Sequence, residues 1–119
     1  MSYLVSPPIR TKWHMPPAEF VSKLVERWPN ASVRERMFDS PFSHEWEINM
    51  PGGILEGKFN QNYSGISIDG DFEDCVAFAL WFRSLVPPGQ ELWFYDDSFI
   101  NHVDLTPHTS AETVAAAFQ

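Results

Sequence analysis

The sequence predicts an α+β domain. An antiparallel sheet of about six strands, a four-strand meander plus a hairpin, is joined by three helices in the order α-β-β-β-β-α-β-β-α. Three observations carry this reading. In "FSHEWEINM" (residues 42–50), Phe42, His44, Trp46, Ile48 and Met50 alternate with Ser43, Glu45, Glu47 and Asn49, the period of two of a half-buried strand. Between Pro17 and Trp28 the residues Phe20, Val21, Leu24, Val25 and Trp28 fall within an arc of about 140° at 100° per residue, which is an amphipathic helix. Ten prolines and several turn clusters cut the rest of the chain into pieces of strand or helix length.

Taken in order, residues 1–14 read as an extended N-terminal arm carrying Tyr3, Leu4, Val5, Ile9 and Trp13. Pro16 and Pro17 open the first helix, where a missing N–H costs nothing, and Pro29 with Asn30 stops it. Residues 31–38 are strand-like and turn at "DSP" into 42–50. From there "PGG" leads into 53–60 and "NQN" into 63–69, completing the meander. The segment from Phe72 to Val86 has helical length, and its apolar residues cover about 220° of the wheel, leaving Glu73, Asp74, Ala77 and Ser84 outward. A helix apolar over so wide an arc is covered from more than one side. It is expected to lie on the sheet between the first and last helices. After "PPG", residues 91–96 and 99–105 form a hairpin around "DS", and a last helix starts at Thr109 or Ser110, where Thr109 and Glu112 have capping-box spacing. No repeat, linker or low-complexity tract divides residues 1–119, which read as one domain.

Charge is unevenly spread. The net charge is -8: residues 1–36 hold six bases and three acids, residues 37–119 two bases and thirteen acids. An acidic chain with so few clustered bases repels phosphate backbones, so nucleic acid is not expected as a partner and a cationic protein is. The single cysteine, Cys75, forms no internal disulfide, and no apolar run is long enough for a membrane span. The N-terminus also lacks a charged start followed by an apolar secretory segment. A cytoplasmic protein without cofactor is expected.

For chemistry the sequence offers scattered candidates and no strong motif. Asp69, Asp71, Glu73 and Asp74 crowd the start of the second helix. An EF-hand counted from Asp69 would need Gly and Glu where Asp74 and Leu80 stand, so these acids read as a helix cap at the positive helix end. His102 and Asp104 share one strand face with His108 just past a turn, a weak zinc constellation without a paired motif. Cys75 lies in the apolar arc beside acids that oppose a thiolate. "NYSGIS" lacks the flanking glycine of a nucleophile elbow. The expectation is a protein without catalysis or metal.

One surface stands out. If Leu92 and Phe94 face the central helix, Trp93 and Tyr95 project from the opposite sheet face, where alternation also puts His102, Asp104, Glu45 and Glu47. Large aromatics among acids on an open sheet face suit a protein partner or a second copy in a homodimer. The alternative is that the N-terminal arm folds across and buries them. No diagnostic motif names a family. The element order and acidity are similar to those of small type III secretion chaperones, and small acidic α+β domains recur among bacterial immunity proteins that neutralise toxins. These resemblances imply protein binding and transfer no site residue. An immunity-type inhibitor of a cationic toxin is the leading expectation, a secretion chaperone the second, and a small enzyme or ligand-binding domain using His102 and Asp104 the third.

Overall fold

The computed structural model describes residues 2–8, 12–36, 41–62 and 64–118. Seven strands and three helices follow one another as β1 (Ser2–Ser6), α1 (Pro17–Arg27), β2 (Ser32–Glu35), β3 (Phe42–Met50), β4 (Gly53–Asn60), β5 (Gly65–Asp69), α2 (Phe72–Ser84), β6 (Trp93–Asp96), β7 (His102–Asp104) and α3 (Ala111–Ala117). All neighbouring strands are antiparallel, in the order β2-β3-β4-β5-β1-β6-β7. The fold is α+β as the periodicities require, with the meander intact and β3 and β4 on the expected residues. Asp39 and Ser40 of the DSP turn and the ends of two expected strands, at residues 37–38 and 63, lie outside the described residues.

The N-terminal segment is the main difference. Ser2–Ser6 is not an arm across the sheet but a strand inside it, paired with β5 on one side and β6 on the other. It joins the meander to the hairpin, whose facing edges would otherwise present unpaired backbone groups. Its inward side chains explain the position energetically: Val5 and Tyr3 are buried, and Tyr3 stacks on Phe94 with ring centroids 5.2 Å apart.

The helices cover one face. Phe20 of α1 packs on Trp46, Phe59 and Phe82 at 5.1, 4.7 and 5.8 Å, and Trp28 stacks on Phe78 at 5.1 Å. At the other end Phe118, just past α3, meets Tyr3, Phe72 and Phe94. Gly57 of β4 lies directly beneath the indole of Trp46, its cross-strand neighbour.

The start of α2 answers the question of the acidic run. Asp71 is the N-cap and accepts from the Glu73 amide at 3.1 Å. Asp74, expected outward, is buried, because its carboxylate accepts the Gly52 N–H at 3.0 Å and ties the β3–β4 turn to the helix. In α3 it is Ser110, not Thr109, that caps, accepting from the Thr113 amide at 3.2 Å. Thr109 instead accepts the Thr106 N–H at 2.7 Å.

Cys75 is fully buried on the sheet side of α2, and desolvation, followed by the charges of Asp69 and Asp74, pushes its thiol up to about 12. Between the free-thiol value of about 8.5 and this native value, the unfolded chain loses a proton that the folded one keeps. Its contribution therefore weakens stability as pH rises through that window. At pH 8 a maleimide should leave native Cys75 unlabelled and modify it fully in denaturant. Rapid labelling of the folded protein would contradict this packing.

Candidate functional site

The face away from the helices is ordered in cross-strand lines. One line runs Arg34–Glu45–Lys58–Ser67–Leu4–Tyr95–His102 across all seven strands. Beside it Ser32–Glu47–Glu56–Asp69–Ser2 places three acids in direct register. On the other side Ser6, Trp93 and Asp104 are neighbours. All six residues singled out from the sequence thus lie on this face, with Leu92 and Phe94 buried on the opposite one.

They do not form one cluster. Glu45 and Tyr95 share a line but are four strand spacings apart, about 19 Å. The Glu45 carboxylate is already engaged, by Arg34 at 2.6 Å and Arg36 at 2.7 Å. The Arg36 hydrogen bond, then the Arg34 charge, holds it below the usual carboxylate range. Glu45 therefore fastens edge strand β2 to β3, an internal role that alternation alone does not reveal. Glu47 remains exposed, opposite Glu56. Like charges directly opposed across strands are unfavourable, so this acidic line costs the isolated fold stability.

The aromatic end is compact. The His102 ring lies on the Trp93 indole, 4.1 Å between centroids at 21°, and Tyr95 packs against Phe99 at 5.5 Å. The Tyr95 hydroxyl is 2.7 Å from the Ser6 hydroxyl, fixing the ring over β1. Together with Pro7 and Pro8 these four side chains line a groove of about 250 Å³. The N-terminal segment thus supplies one wall of the groove through Pro7 and Pro8, beside the half-buried Trp93 and Tyr95; Ile9 of the expected arm lies outside the described residues.

The groove ends at the β6–β7 loop, which the sequence does not mark as functional. Asp96 organises it: its carboxylate accepts the Ser98 hydroxyl at 2.6 Å, the Ser98 amide at 3.2 Å, the Ile100 amide at 3.3 Å and the Asn101 side chain at 3.5 Å. These donors, the Ser98 hydroxyl foremost, hold its carboxyl below the usual range. At the tip Phe99 has φ of 62° and is 72% exposed, and Ile100 is 78% exposed. A bulky side chain in the left-handed region costs roughly 1–2 kcal/mol and is not repaid here by burial.

The remaining polar groups are scattered over the fold. Two Ser–His pairs come within hydrogen-bond reach: Ser43 Oγ lies 3.0 Å from Nδ1 of its chain neighbour His44, and Ser64, at φ 53°, has its hydroxyl 3.4 Å from His14 Nδ1. Ser64 is wholly buried, however, and its oxygen accepts the Met15 N–H at 2.9 Å, so no substrate carbonyl reaches it. Among the described residues no group of three His, Cys, Asp or Glu side chains is placed to hold a metal ion, and no helix is long and apolar enough to cross a membrane. Arg83, which periodicity does not flag, is buried at 4% exposure. Its guanidinium donates to the carbonyls of Val86, Pro87 and Pro88 at 3.3, 3.1 and 3.1 Å, and burial lowers its pKa. It ties down the turn that follows α2 and leads to β6. The chain matches no known family model, no curated protein and no solved structure.

Proposed function

We propose that this is a binding domain without catalytic chemistry that recognises a basic protein through the aromatic end of its open sheet face, acting as an immunity-type inhibitor in the cytoplasm. The observation that carries the reading is Phe99, a large apolar side chain kept in a strained backbone conformation and exposed beside a groove of aromatic rings. Exposed aromatic anchors next to a half-formed pocket are what partner surfaces use. The acidic line Glu47–Glu56–Asp69 on the same face supplies the long-range attraction for a cationic partner. Such a partner relieves the repulsion within that line as it binds.

The test is site-specific photo-crosslinking in the native host. A photoreactive residue replacing Ile100 should yield an adduct with a basic protein, while the same residue at Ala18, exposed on α1, should not. Adding Phe99→Gly should diminish the adduct without lowering the melting temperature, because glycine removes a left-handed penalty of about 1 kcal/mol. With the isolated pair, association should slow steeply between low and physiological salt, and Glu47→Gln with Glu56→Gln should flatten that dependence. No adduct, or adducts made solely of two copies of this chain, would overturn the proposal.

A further inference from the structure

The geometry points to a mode of recognition: we infer that the free edge of β7 receives an extended segment of the basic partner as an added antiparallel strand, with a basic side chain set against Asp104. The inference rests on the protein-binding reading above and names the shape and chemistry of that segment. Hydrogen bonds fix which backbone groups face outward. The Leu105 N–H donates to the Leu92 carbonyl at 2.8 Å and the Asp96 N–H to the Asn101 carbonyl at 3.3 Å. Bonded and unbonded pairs alternate in an antiparallel ladder, so Leu92 with Leu105, Phe94 with Val103 and Asp96 with Asn101 are the bonded ones. His102 and Asp104 therefore turn their N–H and C=O groups away from β6. The Asp104 carbonyl accepts the Thr109 hydroxyl at 3.3 Å, and among the described residues nothing else engages these groups. Both residues are exposed.

An extended backbone offers donors and acceptors at the spacing of this edge. Sheets guard such edges with Lys, Arg or Pro, and residues 99–105 contain none of them, whereas the opposite edge strand β2 carries Arg34 and Glu35. A partner residue bonded twice to His102 places its side chain on the open face, where it extends the line from Tyr95 through His102. Beside the His102 ring, itself stacked on Trp93, an aromatic side chain packs best. Two residues earlier the segment's side chain falls on the same face next to Asp104, whose carboxylate has no hydrogen bond or ion pair among the described residues. Residues 91–104 hold Glu91, Asp96, Asp97 and Asp104 without Lys or Arg, which favours a basic side chain there and repels an acidic one. The residue between the two faces the helix side beside half-buried Val103. The segment thus reads basic, apolar, aromatic. A second copy of this chain, at a net charge of -8, would set acid against acid on the same edge.

The experiment is residue-resolved amide hydrogen exchange on the full chain. Alone, the His102 and Asp104 amides should exchange at least tenfold faster than that of Val103, which is bonded to β6. The probe is the blocked peptide Thr-Arg-Val-Phe-Thr, which should slow His102 and Asp104 saturably, by at least threefold, and leave Val103 unchanged. Methylating the peptide's Phe nitrogen, which points at the His102 carbonyl, should abolish this protection, whereas methylating its Val nitrogen, which points away from β7, should preserve it. Asp104→Asn should weaken the unmodified peptide at least threefold with an unchanged melting temperature. No protection by that peptide, equal effects of the two methylations, or protection of His102 that appears when the chain alone is concentrated would overturn the inference. If the crosslink from position 100 to a basic protein forms and the captured protein leaves His102 and Asp104 exchanging as before, the binding function stands and the edge pairing alone falls. If no crosslink forms, the binding function falls as well.

Discussion

Gly57→Ala is expected to destabilise the protein by about 3 kcal/mol or more, the upper end of what overpacking a core costs. The added methyl carbon would lie 2.3 Å from Cζ2 and 2.4 Å from Cε2 of Trp46, inside van der Waals contact. The indole has nowhere to withdraw. It is 2% exposed, stacked on Phe78 at 5.4 Å and wedged against Phe20 at 5.1 Å. Relief must therefore come from moving β4 or the helices. Trp46→Phe shortens the ring and removes the Nε1 donor, which is buried without a hydrogen-bond partner among the described residues, an omission that costs about 1–3 kcal/mol. In the double variant Gly57→Ala with Trp46→Phe, urea melts should show less destabilisation than the sum of the two single changes. Strict additivity would mean that the glycine is not required by the indole.

Phe94→Ala should cost about 3–5 kcal/mol, whereas Trp93→Ala, one residue away, should cost about 1 kcal/mol or less. Phe94 is fully buried among Tyr3, Phe118 and Phe72, with ring centroids 5.2, 5.3 and 6.4 Å away, and its deletion opens a cavity that joins β1, α2 and α3. Trp93 is half-buried on the far face, where solvent fills the space it leaves. Trp93→Ala should accordingly keep its cooperative melt while losing the crosslink from position 100. If both variants unfold alike, the groove is part of the core and the binding proposal loses its surface.

Much of this architecture is legible in the sequence because it is local. Alternation in residues 42–50 gives β3 to the residue, and the inward pair Leu92 and Phe94 follows from a single strand's period. The face carrying Trp93, Tyr95, His102 and Asp104 follows with it. The wide apolar arc of α2 likewise announces a helix packed from several sides, as Phe20, Trp28 and the sheet confirm. Residue type alone does not place the polar side chains. Asp74 looks like surface because acids are rarely buried, yet one backbone N–H from Gly52 is enough to hold it inside. Glu45 looks free for a partner, yet two arginines from the neighbouring strand and its extension occupy it.

By itself the sequence determined the fold class, the helices, the meander and the division of each strand into an inner and an outer face. Those follow from periodicity and turn chemistry, which act over a few residues. Only the tertiary structure decided that Ser2–Ser6 is an inner strand, that the β6–β7 loop lifts Phe99 and Ile100 into solvent, and that four strand spacings separate Glu45 from the aromatic groove. The physical reason is that strand order is fixed by pairing between distant segments: Val5 sits beside Ile66 and Phe94. The closure entropy of such contacts is offset by burial and backbone pairing that exist only once the whole sheet is assembled.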